Sequence, residues 1–205
     1  MAAGRHDRRA QTRLQRRYEP DAQDAYDALA RVIAERHADT LFSTDGRSID
    51  QLVAQALLDR QLTIATAESC SGGLLAARLT DRPGASAYLL GGLVVYSDAS
   101  KVALAGVEEQ LIEQRGAVSG EVAQALAEGA RVRLGSDIGV GITGIAGPDG
   151  GSEQKPVGLV WLSVAGPGEQ PAMTRSVNLP GGRPDVRDRS TTVAMHMLLR
   201  ALMSS

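Results

Sequence analysis

With 205 residues, 43% of them hydrophobic, the chain is long enough for one domain of ordinary size; aromatics at 3% mean that its core is built from Ala, Leu and Val. A net charge of −2 excludes a general affinity for nucleic acid, and the single cysteine, Cys70, excludes an intrachain disulfide and fits a reducing cytoplasm. No apolar run approaches the roughly 20 residues that cross a bilayer, and no apolar stretch follows the basic N-terminus as a secretory signal requires.

Residues 1–19 carry Arg5, Arg8, Arg9, Arg13, Arg16 and Arg17 with almost no large apolar residue, and read as a basic, disordered arm. From Pro20 to His37 the spacing of Ala25, Leu29, Val32 and Ile33 predicts a helix, which a turn at Asp45-Gly46 ends. Ser48 then stands as the N-cap of a helix through Leu52, Val53, Ala56 and Leu57. Beyond it strands and helices alternate. Leu62–Thr66 predicts a strand and Gly72–Leu79 a helix; Gly92–Tyr96 predicts a second strand and Ala99–Leu104 a short helix. Ser119 caps a long helix, Gly120–Leu134, with Glu121 near the positive end of its dipole. Ile138–Ile142 and Val157–Ala165 predict strands, Met173–Leu179 an edge strand bracketed by prolines, and Asp185–Leu202 a closing amphipathic helix. This order predicts a three-layer α/β/α fold around a largely parallel or mixed sheet.

In such folds sites collect at the C-terminal ends of strands. Four loops qualify: Glu68–Gly73, Tyr96–Lys101, Thr143–Gly151 and Pro180–Arg183. The first runs from a β-prone segment through Ser69, Cys70 and Ser71 into Gly72-Gly73 and a helix start. That geometry exposes a nucleophile and aims backbone N–H groups at an anion. A serine hydroxyl needs a base to take its proton. His6, His37 and His196 lie outside every glycine-rich loop, which argues against both a zinc site and a histidine-based triad. Lys101 is then the natural base for Ser69, provided that burial disfavours its ammonium form, and Tyr96 stands five residues away to relay a proton or orient it. Cys70 is the rival nucleophile at a helix N-terminus, and Ser71 a third hydroxyl. In an extended segment Ser69 and Cys70 point in opposite directions, so one of them faces the cleft. Spacing does not decide which. Thr143 offers a hydroxyl at a strand end, the glycines of its loop suit close backbone contact with a polar ligand, and Arg183 has the fork that clamps a phosphate or carboxylate.

Together TAESCSGG (66–73), VVYSDASK (94–101), GAVS (116–119), GITGIAGPDGGSEQKPVG (141–158) and GGR (181–183) resemble the C-terminal domain of the CinA family, over about residues 48–203. Where family motifs more often carry threonine, this chain has Ser71. The resemblance implies hydrolysis of the carboxamide of nicotinamide mononucleotide to nicotinic acid mononucleotide and ammonia. It implies a catalytic dyad of Ser69 and Lys101 with Tyr96, and substrate contacts from Ser71, Gly72, Gly73, Thr143, Gly144 and Arg183. It implies neither metal nor cofactor, and a cytoplasmic homo-oligomer whose partner is the small-molecule substrate. Longer members join a molybdopterin-binding-like domain to this one through a small linker domain. Asp39–Val53 resembles the end of that linker, which makes residues 20–47 its remnant and 48–205 the deamidase domain. Two other classes stay open: an inert nucleotide-binding module, and an interaction protein in competence or DNA damage. The acidic balance and the lack of interleaved aromatics speak against nucleic-acid contact.

Overall fold

A computed structural model of the chain describes residues 22–37, 41–167 and 171–203. The arm expected over residues 1–19 lies outside the described residues. Helix α1 (Gln23–Arg36) buries none of its residues, and residues 41–48 form no regular element. Helix α2 (Ile49–Asp59) starts at Ser48 as expected. The Ser48 hydroxyl accepts the Gln51 N–H, the Gln51 side chain accepts the Ser48 N–H, and this capping box satisfies two orphan donors.

Five strands follow: β1 (Ile64–Glu68), β2 (Leu89–Val94), β3 (Ile138–Gly144), β4 (Leu159–Ala165) and β5 (Met173–Asn178). Helix α3 (Leu74–Thr80) joins β1 to β2. Helices α4 (Asp98–Ala105), α5 (Glu109–Arg115) and α6 (Gly120–Leu134) join β2 to β3, and α7 (Arg183–Met203) closes the chain. The strand order is β2-β1-β3-β4-β5, with β2, β1 and β3 parallel and β4 and β5 antiparallel to their neighbours. The sheet is therefore mixed, within the expected α/β class. Among the described residues no helix is long and apolar enough to cross a membrane.

Alternation along the strands divides the core in two. Ile64, Ile138, Val140 and Ile142 pack with Ile49, Val53 and Leu57 of α2, Leu75 and Leu79 of α3, and Ala194, Met195 and Leu198 of α7. On the other face Ala65 and Ala67 pack with Val122, Leu126 and Ala130 of α6 and Ala105 of α4. That second face is built from small residues because α6 lies against the backbone of β3. A Cβ added at Gly139 or Gly141 would collide with the carbonyls of Ala127 and Ala123. This close approach explains how a core with almost no aromatics fills its volume.

Some boundaries differ from expectation, and one helix was not expected. Strand β1 runs two residues further than Leu62–Thr66, because its ladder with β2 and β3 continues through Glu68. Strand β2 begins at Leu89 and not at Gly92, since Leu89 to Gly91 already pair with β1 across a register irregularity. Helix α5 carries no apolar period by which to expect it: Ile112 alone is buried.

Candidate active site

The parallel strands β1, β2 and β3 end on one side of the sheet, and a cavity of about 240 Å³ opens there. Its walls are Ser69 and Cys70 after β1, Tyr96, Asp98 and Lys101 after β2, Ala117 and Val118 before α6, Thr143, Gly144 and Ala146 at the end of β3, and Arg183 at the start of α7. Of the nine residues expected in the site, six line this cavity: Ser69, Tyr96, Lys101, Thr143, Gly144 and Arg183. Ser71, Gly72 and Gly73 do not.

Lys101 is buried, as its reading as a base requires. Only 2% of it is exposed, and it sits on α4 with Nζ 3.0 Å from Asp98 Oδ1 and 3.4 Å from the Tyr96 carbonyl. Helix α4 takes its direction from Ser97, whose hydroxyl accepts the Ser100 N–H at 3.2 Å. The i,i+3 spacing of Asp98 and Lys101 brings their side chains together on this first turn. No role was expected for Asp98 within its loop; that helical spacing is the signal that identifies it.

Ser69 is 8% exposed and follows directly on β1, its N–H donating to the Ile142 carbonyl at 2.9 Å. Strand β1 ends at Glu68, so the alternation expected to separate Ser69 from Cys70 no longer applies, and both line the cavity. Chemistry separates them instead. Burial pushes the Cys70 thiol from its ordinary 9.0 up to about 11; the backbone N–H groups of Cys70 and Ser71 oppose the rise, and the Glu68 charge adds to it. Cys70 is accordingly a neutral thiol at physiological pH, a poor nucleophile.

The expected anion cradle at the start of α3 is corrected by the structure. The Gly72 N–H donates to the Ser69 carbonyl, and the N–H groups of Gly73, Leu75 and Ala76 all donate to the carboxylate of Glu68. No donor of the helix start is left to receive a phosphate. Both glycines are required by conformation, with φ of 61° and 89°. The Ser71 side chain does not cap α3. Its hydroxyl is buried with no partner among the described residues, while its carbonyl accepts from Arg187 at 3.1 Å. Glu68 stood at the head of its loop with no role expected for it, although a carboxylate ending an apolar strand just before a Gly-Gly helix start is a readable sign of a cap.

The opposite wall is tied together by polar contacts. Thr143 Oγ1 donates to the Ala117 carbonyl at 2.7 Å and holds the segment before α6 against β3. Arg183 donates to the Tyr96 hydroxyl at 2.8 Å and to the Gly147 carbonyl at 3.0 Å, bridging the tyrosine loop and the glycine-rich loop. A buried amine, a hydroxyl on a tight turn and a guanidinium at the mouth can together bind an anionic molecule and transfer an acyl group from it.

Comparison with known proteins follows the same outline. The profile of the CinA C-terminal domain matches residues 46–202. A CinA-like protein of Mycobacterium marinum is 56% identical over 195 residues, covering 95% of this chain and 45% of that protein. The CinA-like protein of Mycobacterium tuberculosis is 52% identical with the same coverage. The chain thus spans under half the length of these relatives. Among solved structures, a competence-damaged protein (CinA) superfamily protein from Klebsiella pneumoniae is 31% identical, with a TM-score of 0.73 over 78% of this chain and 100% of that one. The competence/damage inducible protein CihA from Agrobacterium tumefaciens is 36% identical, with a TM-score of 0.70 over 80% and 98%.

Proposed function

The chain belongs to the CinA C-terminal domain family, and we propose that it is an amidohydrolase converting nicotinamide mononucleotide to nicotinic acid mononucleotide and ammonia. The observation that carries this reading is the presence of Ser69 and the buried Lys101 on one small cavity, with no histidine among its walls. In the proposed reaction the free amine of Lys101 takes the proton of Ser69 as Oγ attacks the carboxamide carbon. The oxyanion is received by the backbone N–H of Cys70, which lines the cavity, since those of Gly72 and Gly73 are already engaged. Such a donor is worth about 3 kcal/mol in comparable sites. Lys101 then returns the proton to the departing ammonia. Water loses a proton to Lys101 and attacks the acyl carbon, the ester bond breaks, and Lys101 passes that proton to Ser69 Oγ. Tyr96 orients Lys101 through its carbonyl and Arg183 through its hydroxyl. Arg183 and the Thr143–Gly144 strand end hold the substrate, with the guanidinium on the phosphate.

The same reading takes residues 48–205 as the deamidase domain, in line with the family match over 46–202, and 20–47 as the remnant of a linker. It includes a cytoplasmic homo-oligomer acting without cofactor. The deciding experiment is ammonia release from nicotinamide mononucleotide by wild type, Ser69→Ala and Lys101→Ala. Both variants are expected to lose turnover, and normal turnover by Lys101→Ala would sink the mechanism. One observation favours a second reading, a nucleotide-binding module without turnover: the Lys101 amine is engaged by Asp98. Calorimetric binding of the nucleotide by a wild-type protein that releases no ammonia would establish it.

A further inference from the structure

We propose that Glu68 is the positioning residue of the nucleophile turn: its buried carboxylate ties the end of β1 to the start of α3 and so fixes Ser69 between them. Glu68 is fully buried. Its Oε2 accepts the N–H groups of Gly73 at 3.1 Å and Leu75 at 3.0 Å. Its Oε1 accepts that of Ala76 at 2.8 Å and the Thr66 hydroxyl at 3.3 Å. Among the described residues no cation pairs with it; its partners are three backbone N–H groups and the Thr66 hydroxyl.

Other helix starts are capped differently. Helices α2, α4 and α6 are each capped by the serine that immediately precedes them, Ser48, Ser97 and Ser119. At α3 the preceding residue is Gly73, in a left-handed conformation with no side chain to offer. Four N–H groups are orphaned at any helix start. Here Leu74 donates to the Ser71 carbonyl at 3.4 Å, and Glu68 takes the other three from five to eight residues upstream. The cap therefore spans the turn instead of merely ending the helix. On its strand side the turn is held by the Ser69 N–H on Ile142 and the Val95 N–H on Glu68. Ser69 thus has both flanks anchored by one residue. The same occupancy closes the helix start to anions and leaves Arg183 as the cation for a charged substrate group.

This inference rests on the reading of Ser69 as nucleophile, and the test separates the two. Glu68→Gln places an amide NH₂ against N–H donors, and Glu68→Asp keeps the charge one methylene short. In Glu68→Gln, folded by circular dichroism, kcat for ammonia release is expected to fall about 100-fold with KM within about threefold, the cost of a displacement near 1 Å. Glu68→Asp, which decides the matter if the glutamine variant does not fold, is expected to lose about tenfold. Labelling of Ser69 by a fluorophosphonate should slow in parallel. Cys70, the single cysteine, provides a readout that needs no substrate. Its reaction with 5,5′-dithiobis(2-nitrobenzoate) should accelerate about tenfold or more in the folded variants as the turn loosens. A folded variant with wild-type kcat and wild-type Cys70 reactivity overturns the proposal. Wild type that releases no ammonia overturns the deamidase reading instead, and Cys70 reactivity alone then decides the role of Glu68.

Discussion

Ser69 and Cys70 open on the same cavity, and the thiol is the stronger nucleophile of the two whenever it ionises, so the assignment of Ser69 stands or falls on Cys70 staying protonated. The structure supplies the magnitude. A thiol at its ordinary 9.0 is about one-tenth thiolate at pH 8, whereas one held at about 11 is about one-thousandth. Iodoacetamide reacts with the thiolate, so alkylation of Cys70 in the native protein at pH 8 should run about 100-fold slower than in urea, before any steric shielding. Its rate should go on climbing about tenfold per pH unit up to about 11, where a free thiol levels off near 9. Whole-protein mass spectrometry reads the reaction directly because there is no second cysteine. In the ammonia assay Cys70→Ala is expected within about threefold of wild type, and Ser69→Ala about 10³-fold or more below it. Native alkylation as fast as in urea, or loss of turnover in Cys70→Ala with retention in Ser69→Ala, would refute the reasoning.

Two further outcomes follow from groups away from the cavity. Arg78, 3% exposed, meets Asp50 through two hydrogen bonds of 2.5 and 3.0 Å and also donates to Thr191 and Thr192, joining α2, α3 and α7. Asp50→Ala strands that buried guanidinium and should cost about 3 kcal/mol, the lower part of the range because Asp50 keeps some exposure; this lowers the melting temperature by about 6–12 °C. Arg78→Met should cost less, and an equal or larger loss in thermal melts counts against the account. His196, edge-on to Phe42 at 4.8 Å, has its pKa lowered chiefly by burial and further by Arg78 and Arg200. The unfolded chain then binds the proton first, so stability is fully present above the ordinary value of 6.5 and is lost progressively as pH falls from there through the lower native value. Urea unfolding at pH 7.5 and 5.5 should show this difference, His196→Leu should shrink it, and an undiminished difference assigns it to other groups.

Much of the fold was readable because it rests on neighbours in the chain. Ser48 and Ser119 announce their helices through hydroxyls that reach N–H groups three residues on, and the apolar run Ile138–Ile142 announces β3. Helix α5 was missed because one buried residue in seven sets no period. In the site, Lys101, Tyr96 and Ser69 were legible as chemistry at strand ends. Asp98 was not, since a helical first turn had to be in place before an aspartate three residues before Lys101 became its partner.

Order of elements, class of fold and the loops that carry reactive side chains were thus determined by the chain alone, through short-range periodicity, caps and glycine pairs. What only the tertiary structure decided is the fate of each polar group. Ser69 and Cys70 share a cavity because β1 pairs through Glu68 and stops there. The amides expected for a phosphate belong to Glu68, which is buried only once β1 lies between β2 and β3 with α3 packed above it. A charged side chain in a strand has no local reason to be inside. It is held there by donors that arrive only when strand and helix have been brought together, and the ladder that brings them together lies across the chain, not along it.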